Sequence, residues 1–223
     1  VPNIFGALSQ AESPKRFKHG MFIKAGGYGV AEVVIETTKH NVSIESLSVK
    51  EVTEVVKAYK TRYNELAKDQ DINIINIFRN HGAKAGASLE HPHSQIIASL
   101  VSPPNVNDQI HYARRAYNTW GNCVYCDMIT EELKQKERMV IDSQHFVAFC
   151  PYASRSPFEV RILPKRHSSV FGNITEEEMA DMASILKIVL QKLQILLDNP
   201  DYNYLIRSMP TKDGEVPYYH WYL

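Results

Sequence analysis

Apolar residues recur at helical spacing in two long stretches of the chain. After Ser48 they fall at Val52, Val55, Val56, Tyr59, Tyr63 and Leu66, and after Thr175 at Met179, Met182, Ile185, Leu186, Val189, Leu193 and Leu196, the pattern of a helix that buries one face. Each stretch opens on a hydroxyl residue with a glutamate three positions on, Ser48 with Glu51 and Thr175 with Glu178, which predicts a capping box at each helix start. Shorter runs rich in branched residues predict strands: Glu32–Glu36 and Glu159–Leu163 before the helices, Ile72–Arg79 and Tyr202–Arg207 after them.

These elements repeat. Glu32–Lys60 aligns with Glu159–Lys187 through His40 and His167, each lying eight positions before its capping residue. A second histidine cluster follows the later strand of each set, His91-Pro92-His93 in the first and His220 in the second, at intervals from His40 and His167 that agree to within two residues. The expected fold class is α+β: two tandem units of strand, helix, strand and histidine-bearing strand, each an antiparallel sheet with a long helix packed on it. We place the halves at 1–116 and 117–223, with the junction near Tyr117–Asn122. A length of 223 residues is ample to bury a core.

Charge narrows the partners. Lys plus Arg and Asp plus Glu are 25 each, which leaves no basic excess to neutralise a phosphate backbone and argues against nucleic acid as partner. No apolar run reaches the ~20 residues of a membrane span, since Ile185–Leu197 is interrupted by Lys187, Gln191, Lys192 and Gln194. With three cysteines, two of them in one Cys123-x-x-Cys126 pair, a secreted disulfide scaffold is not expected, and a reducing cytoplasm fits. The chain opens on Val1 without a Met and stops at Tyr222-Leu223 within a predicted strand, as expected of a piece of a longer polypeptide.

Two groups of residues carry chemistry. Cys123, Cys126, His167 and His220 offer the two thiolates and two imidazoles of a closed tetrahedral zinc shell, and closure implies a structural metal; the alternative is a buried thiol pair. Cys150, between Phe149 and Pro151, reads as a small core residue. The second group is Asn80 to Gln95, the densest polar stretch. If His91, His93 and Gln95 lie on one strand, their period of two turns all three to one face, where an imidazole can be ligand, base or nucleophile. The small residues Gly82, Ala83, Ala85, Gly86, Ala87 and Ser88 let backbone N–H groups approach an anionic phosphate. Gly26-Gly27-Tyr28-Gly29 precedes a strand rather than a helix and reads as a turn. Glu176–Glu178 reads as a solvated helix start, and the tail from Tyr218 to Tyr222 as a packed strand.

The run His91-Pro92-His93-Ser94-Gln95, preceded by Asn80 and Ser88, resembles the active-site motif of the galactose-1-phosphate uridylyltransferase family, the transferase branch of the histidine-triad superfamily. Gln95 stands where related hydrolases carry a third histidine. The opening Val1–Leu8, and Phe149–Glu159 followed by Leu163-Pro-Lys-Arg-His167, also resemble that family, so the similarity spans nearly the whole chain. The resemblance implies two histidine-triad-like units and an enzyme of galactose and carbohydrate metabolism, in which His93 attacks the α-phosphorus of a nucleotide sugar and holds the nucleoside monophosphate until a second sugar phosphate collects it. Gln95 and Ser88 would bond phosphoryl oxygens, and Asn3 and Asn80 the nucleotide. His40 and His91 match first-half zinc ligands whose cysteine partners would lie upstream of Val1, and the family implies a homodimer.

Departures from the family pattern bear on the substrate. Ile4 stands where the uridylyltransferases have an acidic residue, Gly6 replaces a proline and Ser94 a common glycine; Tyr222 occupies the second half's nucleophile position, which implies that this half is silent. The expected activity is transfer of a uridylyl group between UDP-glucose and a hexose 1-phosphate. The alternatives are an adenylyl-transferring relative, such as an ADP-glucose or diadenosine tetraphosphate phosphorylase, and a silent zinc-stabilised nucleotide-binding module.

Overall fold

Both capping boxes form. In the computed structural model, which describes residues 1–3, 6 and 8–223, the Ser48 hydroxyl accepts from the Glu51 amide at 3.2 Å while the Glu51 carboxylate accepts from the Ser48 amide at 2.8 Å. Thr175 and Glu178 repeat the exchange at 3.2 and 2.9 Å. They open α1 (Val49–Leu66) and α4 (Glu176–Leu197), and each cap is worth about 1 kcal/mol. The family-like reading of Ile4, Phe5 and Ala7 lies outside the described residues.

The strands predicted before and after the two long helices, and the one that follows His91, are present with shifted ends: β3 (Gly29–Ile35), β4 (Ile74–His81), β5 (His93–Ser99), β8 (Arg161–Pro164) and β9 (Tyr202–Ile206). The tail from Tyr218 to Tyr222, expected as a packed strand, forms none and pairs only through an isolated bridge at Tyr222. The described residues also form a two-stranded hairpin, β1 (Arg16–His19) with β2 (Phe22–Ala25); two helices, α2 (Pro104–Trp120) and α3 (Val124–Gln135); short 3-10 turns at Ile44–Ser46 and Phe171–Asn173; and the strands β6 (Met139–Asp142) and β7 (Phe146–Phe149). α2 ends at Gly121, whose left-handed φ of 80° caps the helix as glycine does without steric cost.

Among the described residues every strand pairing is antiparallel, in the orders β3-β5-β4-β9 and β6-β7-β8 beside the β1-β2 hairpin. The tail joins the two sheets: Arg207 pairs with Tyr222, and Ile162 and Leu223 exchange both backbone hydrogen bonds at 2.7 and 2.9 Å. The last residues therefore stand between β9 and β8 as β5 stands between β4 and β3, and the two halves meet across the β4–β9 seam. This is the duplicated α+β arrangement that the repeat predicts.

α1 and α4 lie side by side on one face, where Val52, Val56, Tyr59, Met182, Ile185 and Leu186 bury against Ile75, Ile77 and Ile96. On the opposite face α2 and α3 cover the β6-β7-β8 sheet through Val106, Ile110, Ile129, Val147, Phe149 and Leu163. Side chains of β7 alternate between the two clusters, Phe146 and Ala148 in one, Val147 and Phe149 in the other, as period-two geometry requires. The solvated helix start needs correction. Glu176 and Glu177 are exposed, but Glu178 is buried and accepts two bonds from Arg166 at 2.8 and 2.9 Å, because its capping role turns the carboxylate back toward the chain. Among the described residues, no helix is long and apolar enough to cross a membrane.

Candidate functional site

Alternation along β5 sorts its residues. Ser94, Ile96 and Ala98 point into the core with no exposed surface, while Gln95, Ile97 and Ser99 are half-buried on the other face together with His93. The expectation that three residues share that face holds for His93 and Gln95. It fails for His91, which lies before the strand begins: Pro92 interrupts the approach, and the His91 ring turns to His40, with the two Nδ1 atoms 3.2 Å apart.

The candidate residues line two clefts on this side of the sheet. One, of about 610 Å³, is bounded by Asn80, Gly82, Ala83, Ser88, His91 and His93. The other, of about 540 Å³, is bounded by Asn3, Leu8, Ala31, Gln95 and Ile97. Asn3 reaches it because residues 1–3 run antiparallel to β3, with the Asn3 amide donating to Ala31 O at 2.9 Å. The first cleft is polar and flanked by the small-residue loop; the second has apolar walls with an amide at either side.

Backbone carbonyls set the histidine tautomers. A carbonyl only accepts, so a ring nitrogen beside one carries the proton and leaves the other nitrogen with its lone pair. His93 Nδ1 lies 2.8 Å from His91 O, which leaves Nε2 as its lone-pair nitrogen. His91, His167 and His220 are set the other way: Nε2 of each donates, to Thr37 O at 2.8 Å, Val216 O at 3.0 Å and Pro164 O at 2.8 Å. Their Nδ1 atoms are left as ligands or acceptors.

Cys123, Cys126, His167 and His220 meet. Their donor atoms all lie within 4.8 Å of one another, with Cys126 Sγ 3.3 Å from His167 Nδ1 and 3.7 Å from His220 Nδ1. The neighbouring Cys126 thiol holds the Cys123 thiol well below its ordinary range. Two sulfurs, two tautomer-fixed imidazoles and second-sphere carbonyls fit one metal ion. Cys150 is half-buried and apart from this cluster.

Beneath β5 lies a buried network that sequence reasoning did not single out. Arg79 and Glu36, almost wholly buried, pair at 2.9 Å; Arg79 also donates to the Tyr202 hydroxyl at 2.7 Å. Ser94 bonds both Glu36 and the Tyr59 hydroxyl, which lies 2.8 Å from that of Tyr204. The signal was parity: Arg79 and Glu36 fall on the core-facing positions of apolar strands, where a charge requires a partner.

A doubled unit of antiparallel sheet and long helix, with tautomer-fixed histidines at the strand mouths, defines a protein of two histidine-triad-like halves. The chain belongs to the galactose-1-phosphate uridylyltransferase family: the profile of that family's N-terminal domain matches residues 1–103 and that of its C-terminal domain residues 105–221. It is 37% identical to ADP-glucose phosphorylase of Arabidopsis thaliana over all of this chain and 63% of that protein. It is 32% identical to galactose-1-phosphate uridylyltransferase of Thermotoga maritima over 97% of this chain and 68% of the relative. Among solved structures, an Arabidopsis ADP-glucose phosphorylase with bound ADP-glucose superposes with a TM-score of 0.89 at 34% identity, covering all of this chain and 68% of that one. A uridylyltransferase gives 0.92 at 30% identity, covering all of this chain and 71% of that one. The chain thus spans just under two thirds of the plant relative's length.

Proposed function

We propose that the protein transfers a nucleotidyl group between a nucleotide sugar and a sugar 1-phosphate through a covalent His93 intermediate. The observation that carries this reading is the bond from His93 Nδ1 to His91 O, which prepares Nε2 as a neutral nucleophile that needs no base to remove a proton. Nε2 attacks the α-phosphorus, the bond from that phosphorus to the bridging oxygen breaks, and its electron pair leaves with the sugar 1-phosphate. The Nε2–P bond then holds the nucleoside monophosphate until the incoming phosphate oxygen displaces the imidazole. Ser88, Asn80 and the loop amides line the cleft beside His93 and are assigned to the phosphoryl oxygens and the nucleotide. Asn3 and Gln95 line the neighbouring cleft; its apolar walls suit a nucleobase, and Gln95 lies on the strand that carries His93.

The uridylyl donor is the first reading, in keeping with the family and with the Thermotoga relative. The 37% identity to the plant ADP-glucose phosphorylase over this whole chain favours testing an adenylyl donor beside it. Incubation with UDP-glucose and ADP-glucose in parallel should add the mass of one nucleotidyl group to the protein with the preferred donor. No adduct with either would overturn the covalent reading and leave the nucleotide-binding module.

We assign zinc to Cys123, Cys126, His167 and His220, where it would be structural because four protein ligands leave no open position. His40 and His91, whose Nδ1 atoms converge at 3.2 Å, are assigned to a second ion completed by ligands from elsewhere. The exposed apolar residues of the hairpin, Phe17, Met21, Phe22 and Ile23, support the homodimer. A cytoplasmic site and the division into halves at residue 116 complete this reading.

A further inference from the structure

The loop that borders the His93 cleft is held by the other half of the protein. β4 and β9 pair across the seam with Asn80 opposite Asn203. The Asn203 amide donates to Asn80 Oδ1 and to Ala85 O, both at 2.8 Å. Just before β9, Asp201 Oδ2 accepts from the Lys84 amide at 2.5 Å. Gly82 has a φ of +85°, and a Cβ there would sit 2.2 Å from Asp201 Oδ1, so the loop closes directly on this carboxylate.

The placement has an electrostatic logic. Gly82, Ala83, Ala87 and Ser88 border the cleft with His93, whereas Lys84, Ala85, Asp201 and Asn203 border a separate depression. Asp201 therefore grips the loop from behind and keeps its charge off the side where an anion would sit. Asn203 decides an orientation as well. By donating to Asn80 Oδ1 it leaves the Asn80 NH2 group for Gly86 O, 3.5 Å away, and for the cleft.

We propose that Asp201 and Asn203 are positioning residues for the nucleotidyl-transfer site, fixing the Gly82–Ala87 loop and the amide of Asn80 from the second half of the chain. This rests on the covalent His93 reading and assigns the half that lacks a nucleophile a part in the chemistry. A group held in place before the reaction lowers the barrier because no reorganisation is needed as charge develops at phosphorus. Loss of the hold should thus appear in the rate of the bound complex more than in donor binding.

The test uses three variants of the full-length protein, followed by the rate of His93 adduct formation across donor concentration. Asn203→Asp keeps the shape but turns a donor into an acceptor facing Asn80 Oδ1; Asp201→Ala removes the grip; Asp201→Asn keeps an oxygen to accept from Lys84. The expected result is a maximal rate at least tenfold lower for Asn203→Asp and Asp201→Ala, donor KM within threefold, an unchanged melting temperature, and Asp201→Asn within threefold of wild type. Should Asp201→Ala not fold, Asn203→Asp carries the test alone. Rates within threefold for Asn203→Asp, or losses that track the melting temperature in every variant, overturn the proposal while the wild-type adduct stands. Absence of the adduct in wild type overturns the His93 reading, and this inference with it.

Discussion

His93 donates its Nδ1 proton to the carbonyl of His91, its neighbour but one, across 2.8 Å. The strand's own backbone thus chooses the tautomer of its first side chain. On the proposed covalent reading, His93→Ala should abolish adduct formation with little change in melting temperature, because a nucleophile contributes to the barrier rather than to core packing. His93→Gly should recover part of the activity when imidazole is added. An alanine variant within about tenfold of wild type, equivalent to ~1.4 kcal/mol of barrier, would place the covalent role elsewhere.

Gln95 projects from the same face of β5 two residues on. On the proposed reaction its amide N–H would donate to charge that develops at phosphorus, so Gln95→Ala should slow the reaction by roughly 10²- to 10³-fold, as removal of one donor does at an oxyanion site. An unchanged rate in a single-turnover assay would remove Gln95 from the chemistry.

How far the sequence could be read depended on the range of each interaction. The capping boxes, the helical faces and the period-two alternation of β5 are local, and all were legible from residue type and spacing. His40 with His91 and His167 with His220 were legible through the repeat. The tautomer of His93 was not, because it depends on a backbone carbonyl that any residue supplies. Nor was the pairing of Asn80 with Asn203, which depends on which strands meet at the seam. Glu178 reads as solvated from its place at the helix start alone, because its partner Arg166 lies outside the helix, in the strand-to-helix connection.

Glu51 gives a pH-dependent contribution with a definite sign. The Ser48 backbone amide, then Lys39 and the Ser48 hydroxyl, hold its carboxyl at about 2, below the ordinary 4.5. A depressed folded value means that the carboxylate stabilises the fold above the unfolded value, and that this contribution fades as pH falls from about 4.5 toward 2. The melting temperature of wild type should exceed that of Glu51→Gln at pH 7, and the two curves should converge below pH 4.5. Parallel curves across that window would show that the charge plays no part in the cap.

Arg79 and Glu36 form an ion pair with almost no exposed surface. Removing one member leaves the other charge buried without a partner, which costs about 3–5 kcal/mol. Arg79→Leu should therefore be strongly destabilising in urea unfolding, and adding Glu36→Gln should restore much of the loss by neutralising the orphan. Equal destabilisation in the single and double variants would show that Arg79 matters through its packing instead.

Cys126 has both imidazoles of the four-residue cluster within reach, at 3.3 and 3.7 Å. An ion bound there links α3 to the connection carrying His167 and to the tail carrying His220, segments far apart in sequence. An unfolded chain cannot preform such a site, so much of the binding free energy becomes stability of the folded state. Cys126→Ser should lower the zinc content and the melting temperature together, and a strong chelator should do the same to wild type. Where the variant remains folded, His93 should still take up the nucleotidyl group, because the proposed nucleophile stands on β5, away from the cluster. Elemental analysis showing the same zinc content in wild type and Cys126→Ser would remove these four residues as the metal's ligands, and loss of the adduct in a folded, metal-free variant would show that the ion reaches the chemistry after all.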